Sequence, residues 1–283
     1  VIFKPVNPTK FKITAKHTYE FKDFVDNLAN FKHSEPKQYT LLKIIAIAGY
    51  VCKTFVCIAS PSAFCKTSMF VIMDSLTDVC PVFKPRSIPK ILVLLNNGNL
   101  VFDEAQEAKK EIKDLMEEMA TDIGGNKPKY INGALKTQGT KSSYDCSDQS
   151  ITFLYNVTSN YKNPEKEYFD FIFNNNIAID DRFIKVKFEG ALLEEFGKNV
   201  NIIKEAEKNK TTYINYSKEL LYLKELKKQN GYELRFNRDP LVKLKGRKKI
   251  VYQELTWLID MYSKDQQEYD DMCTVLELAM LKY

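Results

Sequence analysis

Three short stretches carry residues whose chemistry would fit together. In SPSAFCKT (60–67) a Lys-Thr pair closes a Ser/Pro-rich turn and opens an apolar helical pattern. A helix N-terminus attracts phosphate, so Lys66 would reach the outer phosphates of a nucleotide and the Thr67 hydroxyl would hold Mg²⁺. Ser60, Ser62, Ala63, Cys65, Lys66 and Thr67 are therefore the candidate nucleotide-binding set. Loops of this kind normally use glycine to wrap backbone N–H groups around phosphate at positive φ; here Ser60, Ala63 and Cys65 stand in those places. The same eight residues also read as an ordinary strand-to-helix turn.

The second stretch, LVFDEAQ, is an apolar run that delivers Asp103 and Glu104 to its carboxyl end, the side of a parallel sheet where ligands sit. Asp103 would bind Mg²⁺ through water, and Glu104 would polarise an attacking water. Alternatively both carboxylates simply cap the next helix. The third stretch, SITFLYN, ends in Asn156, whose amide would hold the lytic water or the outermost phosphate, unless it is only a turn residue. Further on, Arg182 in AIDDRFIKVKF would act as a finger on a neighbouring subunit's phosphate, or pair with Asp180 or Asp181. Arg247 in LKGRKKIVYQEL opens a late helix, either as a site residue or within a solvated cluster with Lys245, Lys248 and Lys249.

The elements that must hold these residues follow from the apolar pattern. KTFVCIA (53–59) reads as a buried strand, KTSMFVIMDSL (66–76) as a helix, VCPVF (79–83) as an edge strand because of Pro81, and SIPKILVLLNN (87–97) as a capped helix. NLVFDE (99–104) reads as a strand feeding the charged helix AQEAKKEIKDLMEEMATD, and SITFLYN (150–156) and RFIKVKFEG (182–190) as the last two strands. Alternation of this kind predicts an α/β fold with a five-stranded parallel sheet flanked by helices. After Gly190 the spacing turns helical, which predicts a small helical domain. The organisation read is 1–50 as a lead-in segment and helix, 51–190 as the α/β core and 191–283 as the helical part.

Bulk composition narrows the class only a little. Across 283 residues, 42 Lys+Arg against 37 Asp+Glu give a net charge of +5, which permits an anionic partner without demanding one. The six cysteines form no C-x-x-C pair and neither His17 nor His33 has a ligand-spaced cysteine, so structural zinc is not expected and the thiols read as reduced core residues. LLKIIAIAGYVCKTFVCIA is broken by Lys43, Gly49 and Lys53, short of the roughly 20 apolar residues a membrane helix needs. No membrane association and no secretion are expected, and the location read is cytoplasmic, or nucleoid or nuclear. The start lacks Met and signal-peptide layout, as expected of a trimmed chain or a fragment.

In this order, SPSAFCKT, LVFDEA, SITFLYN, DDRFIKV and then a helical region entered at GRKK, the chain resembles an AAA+ ATPase with Walker A, Walker B, sensor 1, arginine finger and a sensor 2 lid domain. Within that superfamily it is most similar to the minichromosome maintenance (MCM) helicases, over roughly residues 36 to 283. Their P-loops also accept a small non-glycine residue before the lysine, as Cys65 does, and their finger has the Arg182-Phe183 continuation. The resemblance implies a P-loop core with a helical lid, ATP and Mg²⁺ as cofactors, and assembly into a homo-oligomeric ring, a hexamer by family, that moves along single-stranded or forked DNA in replication with replication proteins as partners. It implies Glu104, Asn156, Arg182 and Arg247 as catalytic and Thr67 and Asp103 as magnesium-holding. It also implies a channel hairpin within YINGALKTQGTKSSYDCSDQ, with Lys136 and Lys141 as DNA phosphate contacts, where a surface loop with solvated lysines is the other reading. Departures are the missing glycines, Val-Thr after Asn156 where the family often has proline, and too few residues before position 50 for an MCM N-terminal region. They keep two further expectations open: a catalytically silent ATP-binding subunit of a larger complex, and an AAA+ remodeller or loader that acts on a protein.

Overall fold

The computed structural model describes residues 10–52, 54–77, 82–83, 99–112, 150–156, 183–193 and 202–281. A short strand β1 (Phe11–Lys12) leads into helix α1 (Ala15–Asn27). The Thr14 side chain caps that helix, accepting from the His17 N–H while the His17 imidazole accepts from the Thr14 N–H. Helix α2 (Pro36–Cys52) starts on a proline, which suits a first helical position. Beyond its first turn, where Pro36 and Lys37 are exposed, it has no polar face, and such a helix must lie inside the protein. Residues 41–49 are all buried, including Lys43. This placement accounts for the apolar stretch that stands out in the sequence.

The sheet follows. Strand β2 (Val56–Ser60) is buried along its whole length and runs through a single 3₁₀ turn (Ser62–Phe64) into α3 (Lys66–Thr77). Strands β3 (Val82–Phe83), β4 (Asn99–Phe102), β5 (Ser150–Asn156) and β6 (Ile184–Lys187) complete a parallel sheet in the order β3-β4-β5-β2-β6. The mixed α/β class expected from the alternation is therefore present. β3 sits at an edge, in agreement with the reading drawn from Pro81. Pairing Ser60 with Asn156 ends β2 and β5 level, and pairing Phe102 with Phe153 ends β4 three residues short of them at the same edge of the sheet. That edge is where a parallel sheet presents a crevice to a ligand.

One local expectation is corrected. The helix predicted from Ala105 does not begin there: a 3₁₀ turn (Ala105–Glu107) intervenes, because Glu104 has a left-handed backbone, φ 50 and ψ 47, that cannot start an α-helix. The capped helix expected over 87–97 and most of the charged helix lie outside the described residues.

Helix α4 (Ile202–Asn230), about 43 Å long at 1.5 Å per residue, ends where Gly231 turns left-handed at φ 74. Strand β7 (Tyr232–Glu233) then pairs in parallel with β1, a strand pair that the helical reading after Gly190 did not include. Helices α5 (Gly246–Tyr262) and α6 (Gln266–Leu281) finish the chain, with the Asp265 side chain accepting from Glu268 N–H at 2.9 Å to start α6. Buried acids pin the connection before α5: Asp260 accepts from the Tyr232 hydroxyl and the Arg235 N–H, and Glu277 from Arg238 at 2.7 Å. α5 packs on α1 and α2, and α6 on α2 and β6. One continuous buried apolar cluster, from Ile13 to Ala279, joins sheet and helices.

Candidate functional site

The Lys-Thr turn and the Asp-Glu strand meet at the carboxyl edge of the sheet. In the loop, Phe64 N–H donates to Pro61 C=O at 3.1 Å, closing the 3₁₀ turn, and the Cys65 carbonyl accepts from Met69 N–H at 3.1 Å, the first bond of α3. Between them Cys65 takes φ 71 and ψ 16, the left-handed region that favours glycine. The backbone thus makes the glycine-type turn without the glycine. Ser62 and Ala63 lie exposed on its outer side, whereas Ser60 is buried.

Lys66 is 2% exposed, and its ammonium donates to the carbonyls of Ser60 and Pro61 at 3.4 Å each. Burial pushes its pKa down to about 8, while the neighbouring Asp103 and Glu104 carboxylates and Cys65 pull the other way. Burial raises the pKa of the Cys65 thiol, against the opposing pull of the Ser68 hydrogen bond and the Lys66 charge. The Thr67 hydroxyl donates to Asp103 Oδ1 at 2.9 Å, and the Glu104 N–H donates to the same oxygen at 3.0 Å. One buried carboxylate oxygen therefore fixes both the first turn of α3 and the left-handed turn at Glu104. Two non-glycine residues with positive φ, Cys65 and Glu104, flank this junction, a clustering of strain that recurs at functional sites.

β5 lies between the loop strand β2 and the acid strand β4, so Asn156 stands level with Ser60 between the two halves. Ser60, Ser62, Ala63, Cys65, Lys66, Thr67, Asp103, Glu104 and the backbone of Asn156 thus gather at one edge. Arg247 does not join them within the chain: its guanidinium lies 5.2 Å from the Phe55 ring centroid, at the opposite end of β2 from Ser60. Arg182, Lys136 and Lys141 lie outside the described residues.

The sequence reading missed the residues behind the loop. Phe64 is fully buried, stacked on Phe188 (centroids 5.1 Å, 7° between planes) and edge-on to His33 at 4.5 Å. The available signal was a lone aromatic in the middle of a polar turn.

Elsewhere, a cleft of about 890 Å³ between α1 and α4 sets Glu20, Asp23 and Glu219 against Lys16 and Lys208, an unfavourable charge balance for phosphate. No helix among the described residues is long and apolar enough to cross a membrane. Among the described residues no cluster of three or more His, Cys, Asp or Glu forms a metal cage. The cysteines described, Cys52, Cys57, Cys65 and Cys273, are all free thiols. No family model matches the chain, and no curated protein matches it.

Proposed function

We propose that this chain is a P-loop ATPase of the AAA+ kind that works as a ring-forming, MCM-like DNA helicase. The observation that carries the nucleotide site is the 2.9 Å bond from Thr67 to Asp103, which joins the Lys-Thr turn to the Asp-Glu strand across 36 residues of sequence. The same Asp103 oxygen also holds the turn at Glu104, so the hydroxyl, the two carboxylates and the buried lysine are kept together at one edge of the sheet. The motor reading is supported by the order of motifs and by the strand order, in which the Asn156 strand separates loop and acids as a sensor position requires.

In this reading the N–H groups at the start of α3 and the Lys66 ammonium take the phosphates. Glu104, next to the Asp103 that anchors the turn, accepts a proton from water as the water oxygen bonds to the γ-phosphorus and the bond to the ADP oxygen breaks. The Thr67 hydroxyl and Asp103 carboxylate form an oxygen pair suited to Mg²⁺, which needs only one or two protein oxygens beside phosphate and water. A bound magnesium would neutralise phosphate charge. Arg182 from a neighbouring protomer completes the site, and Lys136 and Lys141 touch DNA phosphates.

A second reading, a silent ATP-binding subunit, is favoured by the loop itself: with Cys65 strained and Lys66 donating to its own loop carbonyls, the site is built to hold as much as to turn over. The deciding experiment is Mg-ATP hydrolysis by wild type and Lys66→Ala, each with and without single-stranded DNA. The motor gives turnover that requires Lys66 and rises with DNA. Tight ATP binding without turnover selects the silent subunit. Turnover indifferent to DNA selects a remodeller that acts on protein.

A further inference from the structure

The glycine-free loop keeps its shape because other parts of the chain grip it. Phe64 is the knob. Its ring stacks on Phe188, meets His33 edge-on and faces Tyr39 at 6.3 Å and 72°. His33 in turn stacks on Tyr39 at 5.3 Å and 6°. Two chain segments supply these rings, one running from His33 into the first turn of α2 and one after β6, and they are themselves tied together. Ser34 N–H donates to Ala191 C=O at 2.9 Å, Leu193 N–H to Lys32 C=O at 3.1 Å, and Ala191 N–H to the Ser34 hydroxyl at 3.0 Å. A direct strut reaches the loop: Leu192 N–H donates to Ala63 C=O at 3.2 Å.

Gly190 shows how close the two segments approach. Its φ is +94, and an added Cβ would meet Ser34 Oγ at 2.6 Å and Glu35 Cγ at 2.8 Å. The His33 ring serves this brace chiefly by its faces. Its Nδ1 accepts from Glu35 N–H at 2.9 Å, while its buried Nε2 has no hydrogen-bond partner among the described residues.

We infer that Phe64 is a positioning residue for the phosphate loop: held by His33, Tyr39 and Phe188, it imposes on Cys65 the left-handed turn that other loops obtain from glycine. The same brace couples the loop to the segment after β6, so a movement of that segment reaches Lys66 through Phe188, Phe64 and Ala63. This inference rests on the phosphate-loop reading for its purpose, although not for its geometry.

Two measurements separate the two. The first uses no nucleotide: Cys65 alkylation by iodoacetamide, quantified by peptide mass spectrometry well below each variant's melting temperature. Phe64→Ala should raise the Cys65 rate about tenfold by local opening. His33→Ala should raise it less, and His33→Phe, which keeps a ring against Phe64, should stay within about twofold of wild type. If Phe64→Ala does not fold, the His33 pair decides alone. A Cys65 rate unchanged in Phe64→Ala, or in His33→Ala where only that variant folds, overturns the brace.

The second measurement is ATP affinity by titration calorimetry. Phe64→Ala should bind about tenfold more weakly, and adding Cys65→Gly to it should restore most of the loss, a coupling that a purely core-filling role for Phe64 would not produce. A loss that Cys65→Gly leaves untouched overturns the claim that the brace replaces glycine. Wild type that binds no ATP overturns the phosphate-loop reading, and the alkylation rates then decide the brace by themselves.

Discussion

Among the described residues two lysines lie almost completely out of solvent, and they are buried in different surroundings. Lys43, in the middle of α2, donates to the carbonyls of Val25 and Asp26 near the end of α1, at 3.0 and 3.3 Å, with the Tyr39 ring 5.2 Å away. Lys66 donates to two loop carbonyls and stands beside Asp103 and Glu104. Burial lowers both pKa values to about 8. The shift therefore says nothing about role, and the neighbours say a great deal. Lys43 meets the negative end of a helix dipole and a ring, which is a finished arrangement. Lys66 sits next to a helix N-terminus, whose positive end repels it, so its natural complement is an anion.

The sharpest separation comes from Glu104, which stands beside Lys66 together with Asp103, where Lys43 has the Asp26 carboxylate in its neighbourhood. Glu104→Gln should lower ATP turnover by about 10²–10⁴-fold with ATP affinity nearly unchanged, measured by steady-state phosphate release and calorimetry. Next in size is the lysine pair itself. Lys66→Ala should weaken ATP binding about 100-fold, the upper end for loss of a charged hydrogen bond, and leave the melting temperature unchanged or higher. Lys43→Met should do the reverse, leaving ATP affinity within about twofold and moving only stability. Equal losses of affinity in the two variants would break the comparison.

A third test uses pH. For a lysine whose folded pKa is depressed, the unfolded chain binds more protons between about pH 8 and the ordinary lysine value. The penalty of burying the ammonium is thus full below about pH 8 and fades as pH rises above it. Urea titrations should show the stability of wild type relative to Lys43→Met improving across that window. ATP affinity should fall over the same rise, because Lys66 loses the charge that phosphate needs, and Lys66→Ala should flatten that fall. The smallest effect belongs to Arg247. Its stacking on Phe55 makes Arg247→Ala worth about 0.5–1 kcal/mol of stability, with ATP affinity of the isolated protomer unchanged.

What could be read in advance follows the same division between local and distant causes. SITFLYN was legible to the residue as β5, because a strand buried in a parallel sheet is a continuous apolar run bounded by polar ends. The helix starting at Lys66 and the meeting of loop and acids were legible for similar reasons. The turn after Glu104 was not. Its left-handed backbone is held by a carboxylate that also serves Thr67, a tertiary cause with no local pattern. Nor was the brace, since Phe64 finds His33 and Phe188 from positions far away in sequence. The pairing of Phe11 with Tyr232 likewise spans most of the chain, and two residues are too few for any alternation to register.

The position of α2 also governs how the protein is made. This helix, apolar on every side beyond its first turn, leaves the ribosome well before α5 and α6, which pack against it and are translated roughly 200 residues later. For tens of seconds at ordinary elongation rates the sides of α2 that α5 and α6 cover stay open, although α1 and α3 already have their places against it. Production should accordingly be limited by chaperone supply during synthesis more than by the stability of the finished fold, and chains truncated before α5 should precipitate.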